Sequence, residues 1–243
     1  MTNHKFMKDY RYFIGVDVSK NTLDFAIYME NEFIAHTQIS NTVKSIKRFL
    51  LDIDKKYEIR LTESLLCMEH TGIYTMLLLT YLNENSIDVW LESATQIKYS
   101  LGNIRGKNDK VDSKRIGEYA YRNIDKLRLW KPKREVIVKL SRLSNLRDNL
   151  IRAKKQLTVR LNENKKFLPP VVTKLEQSMV KRTVDSMDGD LDKIEKQIQD
   201  LIHCDEHLKS IYDIVTSVKG IGKETAINII ITTNEFKDIK KLR

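Results

Sequence analysis

An α/β domain built on a mixed β-sheet and followed by long helices is the fold predicted by this sequence of 243 residues. Three observations carry the prediction. The N-terminal third alternates apolar and polar residues in short runs, and then switches between helical and strand periodicity. After Trp130-Lys131-Pro132 the glycines thin out and aliphatic residues recur at helical spacing. The hydrophobic share, 41%, is that of a chain with a folded core.

The elements follow in order. Phe13, Val16 and Val18 mark a first strand, and Leu23, Phe25 and Ile27, at period two, mark a second across the turn Ser19-Lys20-Asn21-Thr22. Phe33 to Ala35, leading to Ile39, reads as a third. Thr42 to Tyr57 is an amphipathic helix, because Val43, Ile46, Phe49, Leu50 and Ile53 fall on one face. A strand at Ser64 to Glu69, a helix from Tyr74 to Asn83 and a strand at Ile87 to Leu91 complete the sheet domain, residues 1–130. Three strands in succession, followed by helix and strand in alternation, call for antiparallel and parallel pairs in one sheet.

Residues 131–210 read as a helical coiled-coil linker. Leu143, Leu146, Leu150, Ala153, Leu157 and Leu161 form one stripe, ending near Pro169-Pro170, and Val184, Met187, Leu191, Ile194, Ile198 and Leu201 form a second. Each stripe must be buried against another helix, either in an internal hairpin turning at the prolines or between chains of a homo-oligomer. Residues 211–243 open a further segment, in which Ile214 to Ile230 has the pattern of a helix-hairpin-helix. There Gly220 and Gly222 would let backbone N–H groups approach a phosphate beside Lys223, while Ala226 permits close helix packing.

Charge narrows the partner. The formal net charge is +10, and residues 97–160 alone hold nineteen Lys and Arg against six Asp and Glu. Such concentration favours a polyanion. Cys67 and Cys204 are the only cysteines and show no metal-ligand spacing, which fits a reducing cytoplasm and excludes a disulfide framework. The longest apolar stretch, around Met76 to Leu82, is too short to span a bilayer, so no membrane partner is expected.

Four acids carry the chemistry. Asp17 places a charge inside an apolar strand, which is costly unless a cation or hydrogen bonds compensate it. Glu69 repeats the anomaly at the end of another apolar run. Asp109 and Asp112 lie three apart, on one face of a helix. Hard oxygen ligands of this kind suit Mg²⁺ or Mn²⁺, and a pair of such ions supports phosphodiester chemistry. Each acid also has a plainer explanation, a helix cap for Asp109 and Asp112 and a turn contact for Asp17 and Glu69. Arg105, Lys107, Lys110, Lys114 and Arg115 surround the helical pair and could hold a phosphate backbone, as could Lys20. No Ser/His/Asp arrangement and no P-loop offers a competing mechanism.

The segments Phe13-Ile-Gly-Val-Asp-Val-Ser-Lys-Asn-Thr-Leu-Asp24, Met68-Glu-His-Thr-Gly-Ile-Tyr74, Lys107-Asn-Asp-Lys-Val-Asp112 and Val218-Lys-Gly-Ile-Gly-Lys-Glu-Thr-Ala226 together resemble the IS110/IS1111 family of insertion-sequence transposases. The resemblance implies a RuvC-like, RNase H-type domain whose DEDD acids are Asp17, Glu69, Asp109 and Asp112. It also implies a coiled-coil linker and the beginning of a second transposase domain. Members of that family are recombinases that bind a structured noncoding bridge RNA, which pairs with donor and target DNA. Their second domain continues past the glycine hairpin to a nucleophilic serine. Ser210 and Ser217 precede the hairpin, so the expectation is a C-terminally truncated transposase incompetent for the full reaction alone. Two other classes remain open: a non-catalytic, dimerising RNA- or DNA-binding remnant, and an actin-like or sugar-kinase-type phosphoryl transferase, which Gly15 to Lys20 also resembles.

Overall fold

The computed structural model describes residues 8–101 and 109–239, and the chain divides into two compact units at Pro132. In the first, five strands, β1 (Tyr12–Val18), β2 (Thr22–Met29), β3 (Glu32–Ser40), β4 (Ser64–Glu69) and β5 (Asp88–Glu92), form one sheet in the order β3-β2-β1-β4-β5. The β1–β2 and β2–β3 pairs are antiparallel, and β1–β4 and β4–β5 are parallel. This is the mixed sheet that the sequence predicts, and it has a reason in connection length. Short turns can return a strand only antiparallel, whereas the helical crossovers before β4 and β5 return it parallel.

Side-chain alternation splits the core in two. Ile14, Val16, Leu23, Phe25 and Leu66 face one side, covered by α1 (Val43–Tyr57) and α2 (Met76–Glu84). Helix α1 buries Ile46, Phe49, Leu50 and Ile53, and Thr42 caps it by accepting from Ser45 N at 3.3 Å. Phe13, Ala26, Tyr28, Leu65, Cys67 and Trp90 face the other side, packed by Ile97 of α3 (Ala94–Leu101) and by Ile116, Tyr119 and Ala120 of α4 (Asp109–Arg122). The sequence reading has no counterpart for α3. It starts α2 two residues early, where Gly72–Thr75 instead forms a 3₁₀ turn.

The second unit is helical, so the expected linker and the glycine hairpin fall within it together. Helices α5 (Glu135–Asn164) and α6 (Pro170–Cys204) are joined by a short connection ending at Pro169-Pro170, with Pro170 at the first helical position. Asn164 bonds Glu176, Lys154 pairs with Asp188 and Arg147 with Glu195, so partners advance along α5 as they retreat along α6. The two stripes therefore meet within the chain, as an antiparallel hairpin. Helices α7 (Glu206–Ser217) and α8 (Lys223–Thr232) close over its base, where Ile137, Leu140, Ile194, Ile198, Ile202, Tyr212 and Ile227 are buried.

One member of the first stripe does not join it. Leu146 is 48% exposed, whereas Ser144 is buried. These two positions stand about 200° apart around a helix. Helix α8 also contacts α5, and this turns the buried face of α5 toward Ile137, Leu140 and Ser144.

Candidate active site

The sheet places its carboxylates in a row. On the α4 side of the sheet, Asp17 lies opposite Asp24 and Asp24 opposite Gln38. Val16 is paired with Met68, so the next residues, Asp17 and Glu69, are neighbours across β1 and β4. Glu69 is in turn paired with Glu92. Asp17, Glu69 and Glu92 sit toward the C-terminal ends of the three parallel strands. That is where open α/β sheets present ligand sites, above all where the strand order reverses, as it does at β1.

Helix α4 completes the arrangement because two glycines let it lie directly on the sheet. A Cβ on Gly15 would overlap the backbone of Ser113 and Gly117, so no other residue fits there without moving the helix. A Cβ on Gly117 would stand 2.7 Å from the Tyr28 ring. Tyr28 Oη donates to Lys114 O at 3.2 Å, and Tyr119 Oη donates to Glu92 Oε2 at 3.2 Å, fixing the helix to β2 and β5. Asp109 and Asp112, in the first turn of α4, are thereby held in the electrostatic field of Asp17. The positive end of the helix favours them there. On the other side of the row, Asn41 Nδ2 donates to Ser19 O at 2.9 Å and to Tyr74 O at 3.0 Å. This ties the turn after Asp17 to the segment after Glu69.

Crowding shows in the acidity of the groups. Burial, then the charges of Asp109, Asp112, Glu69 and Asp24, push the Asp17 carboxyl up to about 6. Glu69 is raised by burial and by Asp112. The four acids thus act on one another through a shared field. Among the described residues no three carboxylate, imidazole or thiol groups close into a ready-made metal cage. Mg²⁺ does not need one, because it usually takes one or two carboxylates and keeps several waters. The raised carboxyls of Asp17 and Glu69 fit such a hydrated hard cation, whose charge would relieve the repulsion they meet.

The basic residues are placed unevenly. Arg115 Nη1 bonds Asp112 Oδ1 at 2.9 Å, and the Lys114 ammonium lies 3.6 Å from the Phe33 ring centre. Lys20 is exposed on the β1–β2 turn and Lys110 in the first turn of α4. Arg105 and Lys107 lie outside the described residues. Gly220, Gly222 and Lys223 belong to the second unit. Gly220 has φ of +94°, Gly222 begins α8, and beside both glycines the space for a side chain is open.

Sequence reasoning assigned no role to Asp24, Gly15 or Gly117. Asp24 is 2% exposed and is bonded by His36 Nε2 at 2.8 Å and Gln38 Nε2 at 2.9 Å. A signal for Asp24 existed, because a two-residue turn at Lys20-Asn21 sets Asp17 against Asp24. For Gly117 none did, since a lone glycine inside a helix pattern does not reveal what crosses it.

The first unit is thus a mixed α/β sheet with carboxylates at the ends of its parallel strands and two more on the helix laid across them. The family follows from comparison with known sequences. A family model of IS110-type DEDD transposases, described as a transposase, matches residues 14–166, and the chain belongs to that family. The pilin gene-inverting protein of Moraxella lacunata is 26% identical over 237 residues, covering 95% of this chain and 69% of its own length. That of Moraxella bovis is 25% identical over 236 residues, with the same coverage. Among solved structures, Thermus thermophilus RuvC in complex with a Holliday junction substrate aligns over 50% of this chain and 100% of its own, at a TM-score of 0.38 and 10% identity. No helix among the described residues is long and apolar enough to cross a membrane.

Proposed function

We propose that this chain supplies the metal-dependent DNA-cleaving site of an insertion-sequence recombinase, with Asp17, Glu69, Asp109 and Asp112 holding Mg²⁺ or Mn²⁺. The observation that carries the reading is the placement of Asp17 and Glu69 at neighbouring strand ends beside α4, the helix that carries Asp109 and Asp112, where burial and then the charges of Asp109, Asp112, Glu69 and Asp24 raise the Asp17 carboxyl to about 6. When bound, such ions polarise the scissile phosphate and activate the attacking oxygen. The chain's own part is positional. Strand β1 presents Asp17, the end of β4 presents Glu69, and the Gly15–Gly117 contact sets the height of Asp109 and Asp112 above them. Arg115 orients the Asp112 carboxylate through its bond to Oδ1. Lys20 and Lys110, with Arg105, Lys107 and Lys114, would neutralise the phosphates on either side of the cleaved bond. Gly220, Gly222 and Lys223 would hold a further phosphate through exposed N–H groups.

By resemblance to the family, the partners are donor and target DNA, a structured noncoding RNA that pairs with both, and further copies of the chain. Strand exchange of this kind also suits the gene inversion in the names of the Moraxella relatives. The concentration of nineteen Lys and Arg against six Asp and Glu over residues 97–160 would equally serve a second reading, in which the unit binds nucleic acid without cutting it.

The test is cleavage of branched and supercoiled DNA in Mg²⁺ or Mn²⁺, with Asp17→Ala beside the wild type and the melting temperature followed as metal is added. Metal-dependent nicking and metal-dependent stabilisation, both lost in Asp17→Ala, are the expected results. Nucleic-acid binding with no cleavage under any condition and no thermal response to metal would establish the second reading instead.

A further inference from the structure

Helix α5 carries a surface for which the acid cluster has no use. Between Val136 and Asn162 it holds seven Lys and Arg and one acid, Asp148. These cations sort by face. Toward α6, Arg147 pairs with Glu195 and with Glu224 of α8 at 2.8 Å, and Lys154 pairs with Asp188. Arg142, Arg152 and Arg160 are exposed and form no ion pair among the described residues, Arg152 farthest from α6, Arg142 at the edge of a groove shared with Asp200 and Leu201, and Arg160 at the edge of one shared with Met187.

Amides fill the intervals between these arginines. Arg142, Asn145, Asn149, Arg152, Gln156 and Arg160 are all exposed, and their 3-4-3-4-4 spacing puts them on one face. The stripe runs about 27 Å along the helix. Leu146 and Val159, 48% and 49% exposed, flank it.

Chemistry selects the partner. An ordinary solvated face intersperses acids with bases, and this one has none between Arg142 and Arg160 once Asp148 has turned to Arg147. A second helix would want apolar residues at these positions and would meet arginines and amides instead. An acidic protein surface would satisfy the arginines but would leave the amides without a purpose. Duplex DNA uses both kinds of residue. Arginine bonds guanine O6 and N7, Asn and Gln bond adenine N6 and N7, and an aliphatic side chain meets the thymine methyl. The B-form major groove admits an α-helix, whereas the A-form groove of RNA is too deep and narrow for side chains to read.

We propose that the outward face of α5 is a docking surface for the major groove of duplex DNA, separate from the carboxylate site. It rests on the proposed function only for DNA as the substrate. The experiment is fluorescence anisotropy with the full chain in EDTA, so that no metal-dependent step contributes. The probes are a labelled 30-base-pair DNA duplex and an RNA duplex of the same sequence, each titrated with salt.

Arg142→Ala/Arg152→Ala/Arg160→Ala should weaken DNA binding more than about tenfold, and should flatten the salt slope by roughly 0.9 for each arginine that rests on a phosphate rather than on a guanine. Equal charge removed from the exposed face of α6, in Lys174→Ala/Arg182→Ala/Lys196→Ala, should have little effect. Asn149→Ala/Gln156→Ala should erase the sequence preference that the wild type shows in selection from a random duplex pool. Helical circular dichroism checks that each variant is folded. The proposal is overturned if both triple variants weaken binding equally, if the RNA duplex loses as much affinity as the DNA, or if the α5 variant changes the mass of the protein in solution while DNA affinity is unaltered. A chain that binds through α5 yet never cleaves would sink the catalytic reading and leave this one standing.

Discussion

The two units treat their carboxylates in opposite ways. In the sheet unit Asp17 and Glu69 sit among other acids, and both are pushed up toward the neutral form. In the helical unit Arg134 Nη2 reaches Asp205 at 2.7 Å and Glu235 at 2.8 Å, and Lys237 adds a bond to Glu235 at 2.7 Å. There the pairing with Arg134 holds Asp205 below its ordinary range, and Glu235 stays low despite burial because Lys237 and Arg134 bond it. The Glu235 side chain is 0% exposed, more fully enclosed than the acids of the sheet. Burial alone therefore does not separate the two sites. A bonded cation does: Arg134 bonds Asp205 and Glu235, whereas among the described residues Arg115 bonds Asp112 but no cation pairs with Asp17 or Glu69. Paired acids fasten helices together, and unpaired ones store repulsion that an external cation can relieve.

The comparison breaks most visibly if a sheet acid is removed. Asp17→Ala should reduce metal-dependent DNA cleavage by at least about 100-fold, since even residues outside the ligand shell cost 10 to 100-fold. Gly15→Ala should approach the same loss with all four acids intact, because α4 must shift to make room for the methyl group. If Gly15→Ala cleaves normally, the height of α4 does not set the site.

Next in size is the paired side. Arg134→Ala leaves Glu235 buried with only Lys237 and His207 near it, and should cost about 3 kcal/mol. Trp90 and Trp130 both lie in the sheet unit, so tryptophan fluorescence follows that unit, while helical circular dichroism reports both and is weighted toward the long helices of the second. The dichroism transition should fall further than the fluorescence transition. A uniform fall would mean that the clamp is not local to the helices.

The pH dependence should run in opposite directions. Asp17 is raised in the fold, so the folded state binds an extra proton between about pH 4 and 6, and this contribution to stability is lost as pH rises through about 6. In metal-free buffer the fluorescence-reported stability should gain on going from pH 7 to 5, by on the order of 1 kcal/mol. Asp17→Asn should remove the gain. Asp205 and Glu235 are lowered, so their contribution is complete above about pH 4.5 and is lost as pH falls through their depressed values. A dichroism transition insensitive to acid would contradict the pairing.

The smallest effect should come from Leu146→Ser, within about 0.5 kcal/mol, because the side chain lies outside the packed stripe. Ile198→Ser, from the same sequence pattern but 1% exposed, should cost several times more.

Most of this architecture was legible beforehand, because it rests on short-range rules. Period two over Leu23, Phe25 and Ile27, the i, i+3, i+4, i+7 pattern of α1 and the Pro170 start of α6 each depend on a few neighbouring residues. Asp17 and Glu69 stood out for the same reason, as charges in runs that otherwise required burial. Tertiary structure decided what depends on partners. It closed the two stripes within one chain. It turned Leu146 outward once α8 claimed a second side of α5, and it brought Gly117 onto Gly15 so that a helix distant in sequence could set its acids over the sheet. Periodicity states that a helix has a buried face. The rotation of that face, and the closeness of its approach, are set by the side chains it meets, which no local pattern contains.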